Sequence, residues 1–453
     1  MLKHLISTIK KILKSKLGVD KAIGVTVLGR TIQALGSIVT IALISLFLSK
    51  NEQGYYYTFG SIIAIQIFFE LGFSGIIGQY AAHEFAHVNS LNATLDDSEK
   101  KAQSRLSSLL RFCLKWFSIL SAALFIALLT AGFFFFSKYN VTTEANWKVP
   151  WILLVVNTCI SFLISPFFSF IEGLGKVKEI AQLRLYQQAV YLACLWLMLL
   201  TGGKLYSAPI AGIVSFAVIL CIFLWSDLKT ILIKIWRLKD QWTVDYKNEI
   251  FPYQWKIAVS WISGYFIFQI FNPVLFATEG AVVAGQMGMT LAALNGVSGL
   301  SMSWITTKVP TFSTLFARSD YSSADQLFNK TMKQVLILTT LGVIAIISII
   351  TGLRIFNIHI ADRFLPTYLI ALMGLSVCLN QLVFSWATYL RCHKKEPYML
   401  ASIVGAIAIS SSIFLFGKLY GAKGLVICYV TVVALMKFWE YQIFVTSKRK
   451  WHG

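Results

Sequence analysis

A chain of 453 residues that is 57% hydrophobic and only 13% charged carries about half the charge of a soluble domain, roughly 25%, and no water-soluble fold hides that much apolar surface. Its net charge of +20 would suggest a nucleic-acid partner in a soluble protein. Beside a membrane, basic loops facing anionic headgroups account for it, and no nucleic-acid partner is expected.

Residues 2–17 place Leu2, Leu5, Ile6, Ile9, Ile12 and Leu13 on one helical face and Lys3, Lys10, Lys11 and Lys14 elsewhere, the pattern of a helix lying on an anionic membrane surface. A pass across a bilayer needs about 20 apolar residues. Such runs are predicted at 22–48, 55–80, 112–136, 149–171, 180–202, 206–226, 253–276, 281–305, 333–353, 364–390, 397–417 and 421–446. The first run is too long for a cleavable signal and lacks a small-residue cleavage site, so it is expected to stay as the first helix.

Twelve passes put both ends on one side, and basic residues flanking passes are retained in the cytoplasm. The segments on the N-terminal side, with the span ends that flank them, hold 30 of the 40 Lys and Arg residues, the opposite loops hold 8, and Arg30 and Lys437 lie within spans. Both termini are therefore expected in the cytoplasm. The expected organisation is an all-α membrane protein in two six-helix lobes around a central cavity: a basic segment 1–21, an N-lobe 22–226, an interfacial linker 227–252, a C-lobe 253–446 and a tail 447–453. Weak internal similarity supports two lobes. Glu52 and Glu279 follow the first helix of each half, and short polar turns at 172–179 and 391–396 separate the fourth and fifth. The seven cysteines are scattered singly and read as packing residues.

Ionisable groups inside a bilayer are costly and usually face a cavity or a partner. In the first span Thr26, Arg30, Gln33, Ser37 and Thr40 recur at helical spacing, and in the second Gln66 and Glu70 lie four apart. Arg30 and Glu70 either pair to fix helix packing or line a cavity, and the accompanying amides favour the cavity. The seventh span repeats the pattern with Tyr265, Gln269 and Asn272, flanked by Lys256 and Trp261, and the eighth adds Gln286 and Asn295. Amides and Arg hydrogen-bond hydroxyls and phosphate oxygens, and aromatic faces stack on pyranose rings. Trp and Tyr also mark membrane interfaces.

His83-Glu84-Phe85-Ala86-His87 matches the helical zinc motif H-E-x-x-H. It stands at a span's cytoplasmic end with no third-ligand motif in another span, so a capping or interfacial role is expected, with no metal and no cofactor. No nucleotide-binding glycine loop occurs.

Glu52-Gln-Gly-Tyr-Tyr-Tyr-Thr-Phe59, Phe69-Glu-Leu-Gly-Phe73 and Gln79-Tyr-Ala-Ala-His-Glu84, with Phe251-Pro-Tyr-Gln-Trp255, Trp261-Ile-Ser-Gly-Tyr265, Ala284-Gly-Gln-Met-Gly288 and Trp304-Ile-Thr-Thr-Lys-Val-Pro310, resemble the two halves of polysaccharide flippases of the multidrug/oligosaccharidyl-lipid/polysaccharide exporter superfamily. The resemblance implies a non-enzymatic flippase that moves an undecaprenyl-pyrophosphate-linked oligosaccharide from the inner to the outer leaflet of a bacterial inner membrane for O-antigen or another surface polysaccharide, beside other polysaccharide assembly proteins. In related lipid flippases basic residues of the first, second and eighth helices engage the diphosphate, and by position Arg30 alone corresponds here. The resemblance thus gives Arg30, with Lys256 as a second candidate, to the diphosphate, and Gln33, Gln66, Glu70, Tyr265, Gln269, Asn272 and Gln286 to the cavity. Set against it are a cation-coupled drug or metabolite exporter of the same superfamily, with Glu70 as the ion site, and a membrane-embedded polysaccharide polymerase or ligase, which the short outer loops disfavour.

Overall fold

The computed structural model describes residues 21–88, 97–139, 146–238, 242–393 and 395–452. The surface helix expected at 2–17 lies outside them, as do the side chains of Arg30 and Lys256. The protein is an all-α integral membrane protein, with no strand among the described residues. In chain order the passes are Lys21–Phe47; Lys50–Glu70 with Phe73–Phe85; Asp97–Tyr139; Lys148–Gly173; Val177–Leu200; Ser207–Trp225; Phe251–Phe268 with Phe271–Glu279; Ala281–Thr306; Tyr321–Ile355; Thr367–Arg391; and Met399–His452. The last is two passes. At Gly421 the backbone leaves the helix (φ 58°, ψ −144°), and Tyr398 Oη donates to the carbonyl of Glu440 at 3.1 Å, 42 residues on, so the chain has doubled back. The expected linker 227–252 contains an amphipathic helix, Asp227–Trp236, which buries Leu228 and Ile235.

Lipid cannot solvate a backbone N–H or C=O, so a helix breaks within a bilayer only where protein covers the break. Two passes break. The second tightens to a 3-10 turn at Ala64–Gln66 and turns through left-handed Leu71 (φ 50°) and Gly72 (φ 70°), bending by 41°. A Cβ at Gly72 would lie 2.5 Å from the Ile257 side chain of the seventh pass, and Phe68 packs edge-on against Tyr265 at 4.9 Å. The seventh pass is interrupted at Gln269 and Ile270. Pro273 explains it, having no N–H for the carbonyl four residues back and a ring that clashes with it. The break at Leu71 and Gly72 therefore sits against the seventh pass, away from lipid.

At the end of the molecule where the first pass finishes, the two sequence halves touch backbone to backbone. A Cβ on Gly54 would fall 2.0 Å from the Ala281 carbonyl oxygen, and one on Gly285 would fall 2.9 Å from the Gly54 nitrogen. The acidic residues of the internal repeat act as helix caps here. Glu52 accepts from the Ser49 N–H at 2.8 Å in a capping box and pairs with Lys204 at 3.1 Å. Glu279 accepts from the Ala422 N–H at 2.9 Å, capping the twelfth pass from the seventh.

At the opposite end, the ninth, tenth and twelfth passes meet in an aromatic and histidine cluster. His393 stacks on Phe316 at 3.8 Å, His452 stacks on Tyr321 at 4.4 Å, and the two Nε2 atoms are 3.3 Å apart. Burial first, then the neighbouring His452 and Lys395, lower the His393 pKa from 6.5 to about 4.

Both ends can be probed by substitution. Gly421→Ala puts a Cβ at positive φ, 1.9 Å from Glu279 Oε1; it should destabilise the purified protein by about 1–3 kcal/mol, read as a lower melting temperature, whereas an unshifted melt would show that the turn tolerates a side chain. For His393 the unfolded chain binds the proton more readily than the folded one, so stability holds above pH 6.5 and falls as pH drops from 6.5 towards 4. His393→Phe should flatten that part of the melting-temperature profile.

Candidate functional site: a polar cavity where the halves meet

About one helical turn in from the closed glycine crossing begins a cavity of about 320 Å³. The second pass contributes Tyr57, Gly60 and Ser61, and the seventh contributes Gln269 and Asn272 from either side of its break. The eighth gives Asn295 and Ser298, the tenth Ser376 and Asn380, and the twelfth Tyr429. Its polar wall is made of amides and hydroxyls, and among the described residues no carboxylate lines it.

Pro273 accounts for the interruption beside the site, and Gln269 and Asn272, three positions apart, both face the cavity. Asn272 is 6% exposed. Its Nδ2 donates to Ser61 Oγ at 3.1 Å, tying the halves together, while its Oδ1 is buried without a hydrogen-bond partner. Gln381 behaves alike, its Nε2 donating to Ser298 Oγ at 2.5 Å and its Oε1 unpartnered. A buried acceptor left unpaired costs about 1–3 kcal/mol; of the two residues Asn272 lines the cavity, whereas Gln381 is fully buried behind it.

The other residues singled out from the sequence are dispersed. Gln66 sits in the 3-10 turn and Glu70 is the last helical residue before the break at Leu71; both are half-buried and neither lines this cavity. Tyr265 is buried against Phe68. Gln33 is exposed on the first pass. Gln286 stands at the closed end, its Nε2 donating to the Asp362 carbonyl at 2.9 Å. The backbones of Arg30 and Lys256 lie in the first and seventh passes.

Sequence reasoning left two groups aside. Gln53, 1% exposed, is the polar bolt of the closed end. Its Nε2 donates to the carbonyls of Gly285 at 2.8 Å and Arg363 at 3.0 Å, and its Oε1 accepts from Arg363 Nη1 at 3.4 Å. A lone Gln beside a Gly at a span's start offers no periodic signal, so only its partners reveal it. Lys437 lies within the twelfth pass, paired with Glu440 at 2.6 Å, and reaches the cavity wall through Asn380 Oδ1 at 3.4 Å. The signal for it, one Lys inside an apolar run, was present in the sequence.

The H-E-x-x-H segment is accounted for by an ion pair. Glu84, 7% exposed, accepts from Arg105 Nε at 2.8 Å, and the same guanidinium holds Glu249 ahead of the seventh pass. Arg105 keeps the Glu249 carboxyl below the ordinary carboxylate range. Tyr80 Oη donates to the Glu249 carbonyl at 2.5 Å. The Glu of the motif is thus a structural counter-ion, and no group of three potential metal ligands occurs among the described residues.

The described chain is thus a helical membrane protein with two broken passes and a polar cavity between its halves. No protein-family model and no curated protein sequence matches the chain; the likeness lies in the fold. The chain superposes on the MATE transporter VcmN of Vibrio cholerae with a TM-score of 0.58 at 13% identity, covering 95% of this chain and 96% of that one. It superposes on the MATE multidrug transporter DinF-BH with a TM-score of 0.58 at 13% identity over 96% and 95% of the two chains. The lipid II flippase MurJ, in an inward closed conformation, gives a TM-score of 0.53 at 13% identity over 94% and 90%. The protein therefore has the fold of the MOP-superfamily transporters, which include MATE exporters and a lipid flippase.

Arg105→Met would leave Glu84 buried and unpaired, a change that costs about 3–5 kcal/mol when a buried pair loses one partner. The expected result is a clearly lower melting temperature. His83→Ala and His87→Ala should melt like the parent and, like it, hold no stoichiometric zinc by elemental analysis; one zinc per chain lost on His87→Ala would restore the metal reading.

Proposed function

We propose that this chain is a flippase carrying a lipid-linked oligosaccharide on a polyprenyl diphosphate between leaflets, multi-pass in a bacterial inner membrane with both termini in the cytoplasm. One observation carries the proposal: the cavity is walled by amides and hydroxyls, with an unpartnered acceptor on the lining residue Asn272 and no lining carboxylate among the described residues. Sugar hydroxyls supply the donor that oxygen lacks, whereas a cationic drug asks for negative charge. The lipid tail would stay in the bilayer while the head group crosses. The second half's polar wall, Gln269, Asn272, Asn295 and Asn380, would handle the sugar, and Arg30, with Lys256, would attract the diphosphate.

Release on the far side requires the Gln53 bolt and the glycine crossing to part while the opposite end closes. The membrane potential assists that step, because a field negative inside favours outward movement of an anion by about 2.3 kcal/mol per charge per 100 mV, and no nucleotide site is needed. The fold likeness to MATE transporters favours a second reading, a cation-coupled drug exporter with Glu70 as its ion site.

Proteoliposomes separate the two. Flipping of a fluorescent lipid-linked oligosaccharide should occur, should quicken when an imposed potential makes the leaving side negative, and should fall about tenfold in Asn272→Leu, in line with a loss of one to two hydrogen bonds. Ethidium efflux with no lipid flipping would reject the flippase in favour of the exporter.

A further inference from the structure

The twelfth pass carries a lysine well inside its apolar run. Lys437 lies 16 residues past the turn at Gly421, about 24 Å along the helix, and its side chain is 12% exposed. Glu440, 14% exposed, neutralises it at 2.6 Å. The pair is joined to the transport cavity by a continuous set of hydrogen bonds. Lys437 Nζ donates to Asn380 Oδ1 at 3.4 Å, and Asn380 Nδ2 donates to Tyr429 Oη at 3.1 Å. Asn380 and Tyr429 both line the cavity.

An ion pair that served packing alone would be replaceable by apolar residues at little cost or with a gain. A single cation held by a single carboxylate beside a polar cavity is, instead, a charge that can be handed over. Two ionisable groups face Glu440: Tyr398, whose hydroxyl donates to the Glu440 carbonyl, and Tyr429 on the same helix; Arg391 at the end of the tenth pass faces Tyr398 and is itself paired bidentately with Glu396.

We propose that Lys437 is a further cation, in addition to Arg30 and Lys256, that meets the anionic group of the cargo in this cavity, leaving Glu440 to take up one proton as it does so. This rests on the flippase reading. When a diphosphate enters, the ammonium swings from Glu440 past Asn380 to a phosphate oxygen. The Glu440 carboxylate, deprived of its partner in a low-dielectric site, binds a proton from water, forming one O–H bond. The ammonium stays protonated throughout. When the cargo leaves, Lys437 returns and the proton is released, so cargo binding and proton binding are linked.

The test uses the purified full chain in detergent with undecaprenyl diphosphate as the probe, measuring binding by native mass spectrometry and proton uptake with a pH indicator in weak buffer at pH 7. The wild type should take up about one proton per lipid bound. Glu440→Gln should bind the lipid more tightly and take up none, and Lys437→Met should bind about tenfold more weakly. If Lys437→Met fails to fold, the double variant Lys437→Met/Glu440→Gln leaves no unpaired charge and should show the same weakened binding without proton uptake. Equal binding by the wild type and the double variant, or wild-type binding without proton uptake, overturns the inference while leaving the flippase reading intact. A wild type that does not bind the lipid at all, yet exports ethidium from proteoliposomes, overturns both.

Discussion

Lipid offers no hydrogen bonds to a peptide group, and nearly every functional feature of this protein is a consequence of that constraint. Most passes obey it by remaining unbroken helices. Of the two that break, the one at Leu71–Gly72 lies against Ile257 of the seventh pass, and just past the one at Gln269–Ile270 Asn272 bonds Ser61 of the second, so that protein covers groups lipid could not. The interruption at Gln269–Ile270 falls beside two amides, Gln269 and Asn272, that both wall the cavity.

Polar contacts between the halves follow the same logic. Gln53 is almost fully buried and spends both its amide hydrogens and its oxygen on the second half. Asn272 spends its hydrogens on Ser61 and the Tyr57 carbonyl and keeps its oxygen unpaired. One amide is saturated and locks the closed end. The other is half-saturated and faces the cavity. The difference between a bolt and a binding group is here the difference between a satisfied and an unsatisfied acceptor.

Much of the fold was legible in the sequence because apolar run length reports directly on the bilayer. The twelve runs recur as passes, including the turn at Gly421 that separates the last two, and Gln269 and Asn272 do share a cavity. The rest required three dimensions. The helical stripe of Gln66 and Glu70 lies ahead of the break, in the 3-10 turn and the short helix that follows it, and neither residue lines the described cavity. Gln286, spaced like a cavity residue, faces instead a carbonyl 76 residues on, a contact no local period announces. The zinc-like segment carried its own rival explanation in Arg105 and Glu249, but a three-way ion pair spanning 165 positions of sequence has no one-dimensional signature.

The crossing at Gly54, Ala281 and Gly285 has a further implication for how such a chain can change over time. Its contacts are main chain on main chain, so a larger residue on one helix finds no side chain opposite that can shrink in compensation. The two halves are thereby bound to each other as matched pieces at this one crossing while remaining free to diverge over the lipid-facing surface. A hybrid built from the first half of this chain and the second half of a remote relative would meet its first incompatibility there, before any difference in cargo came into play.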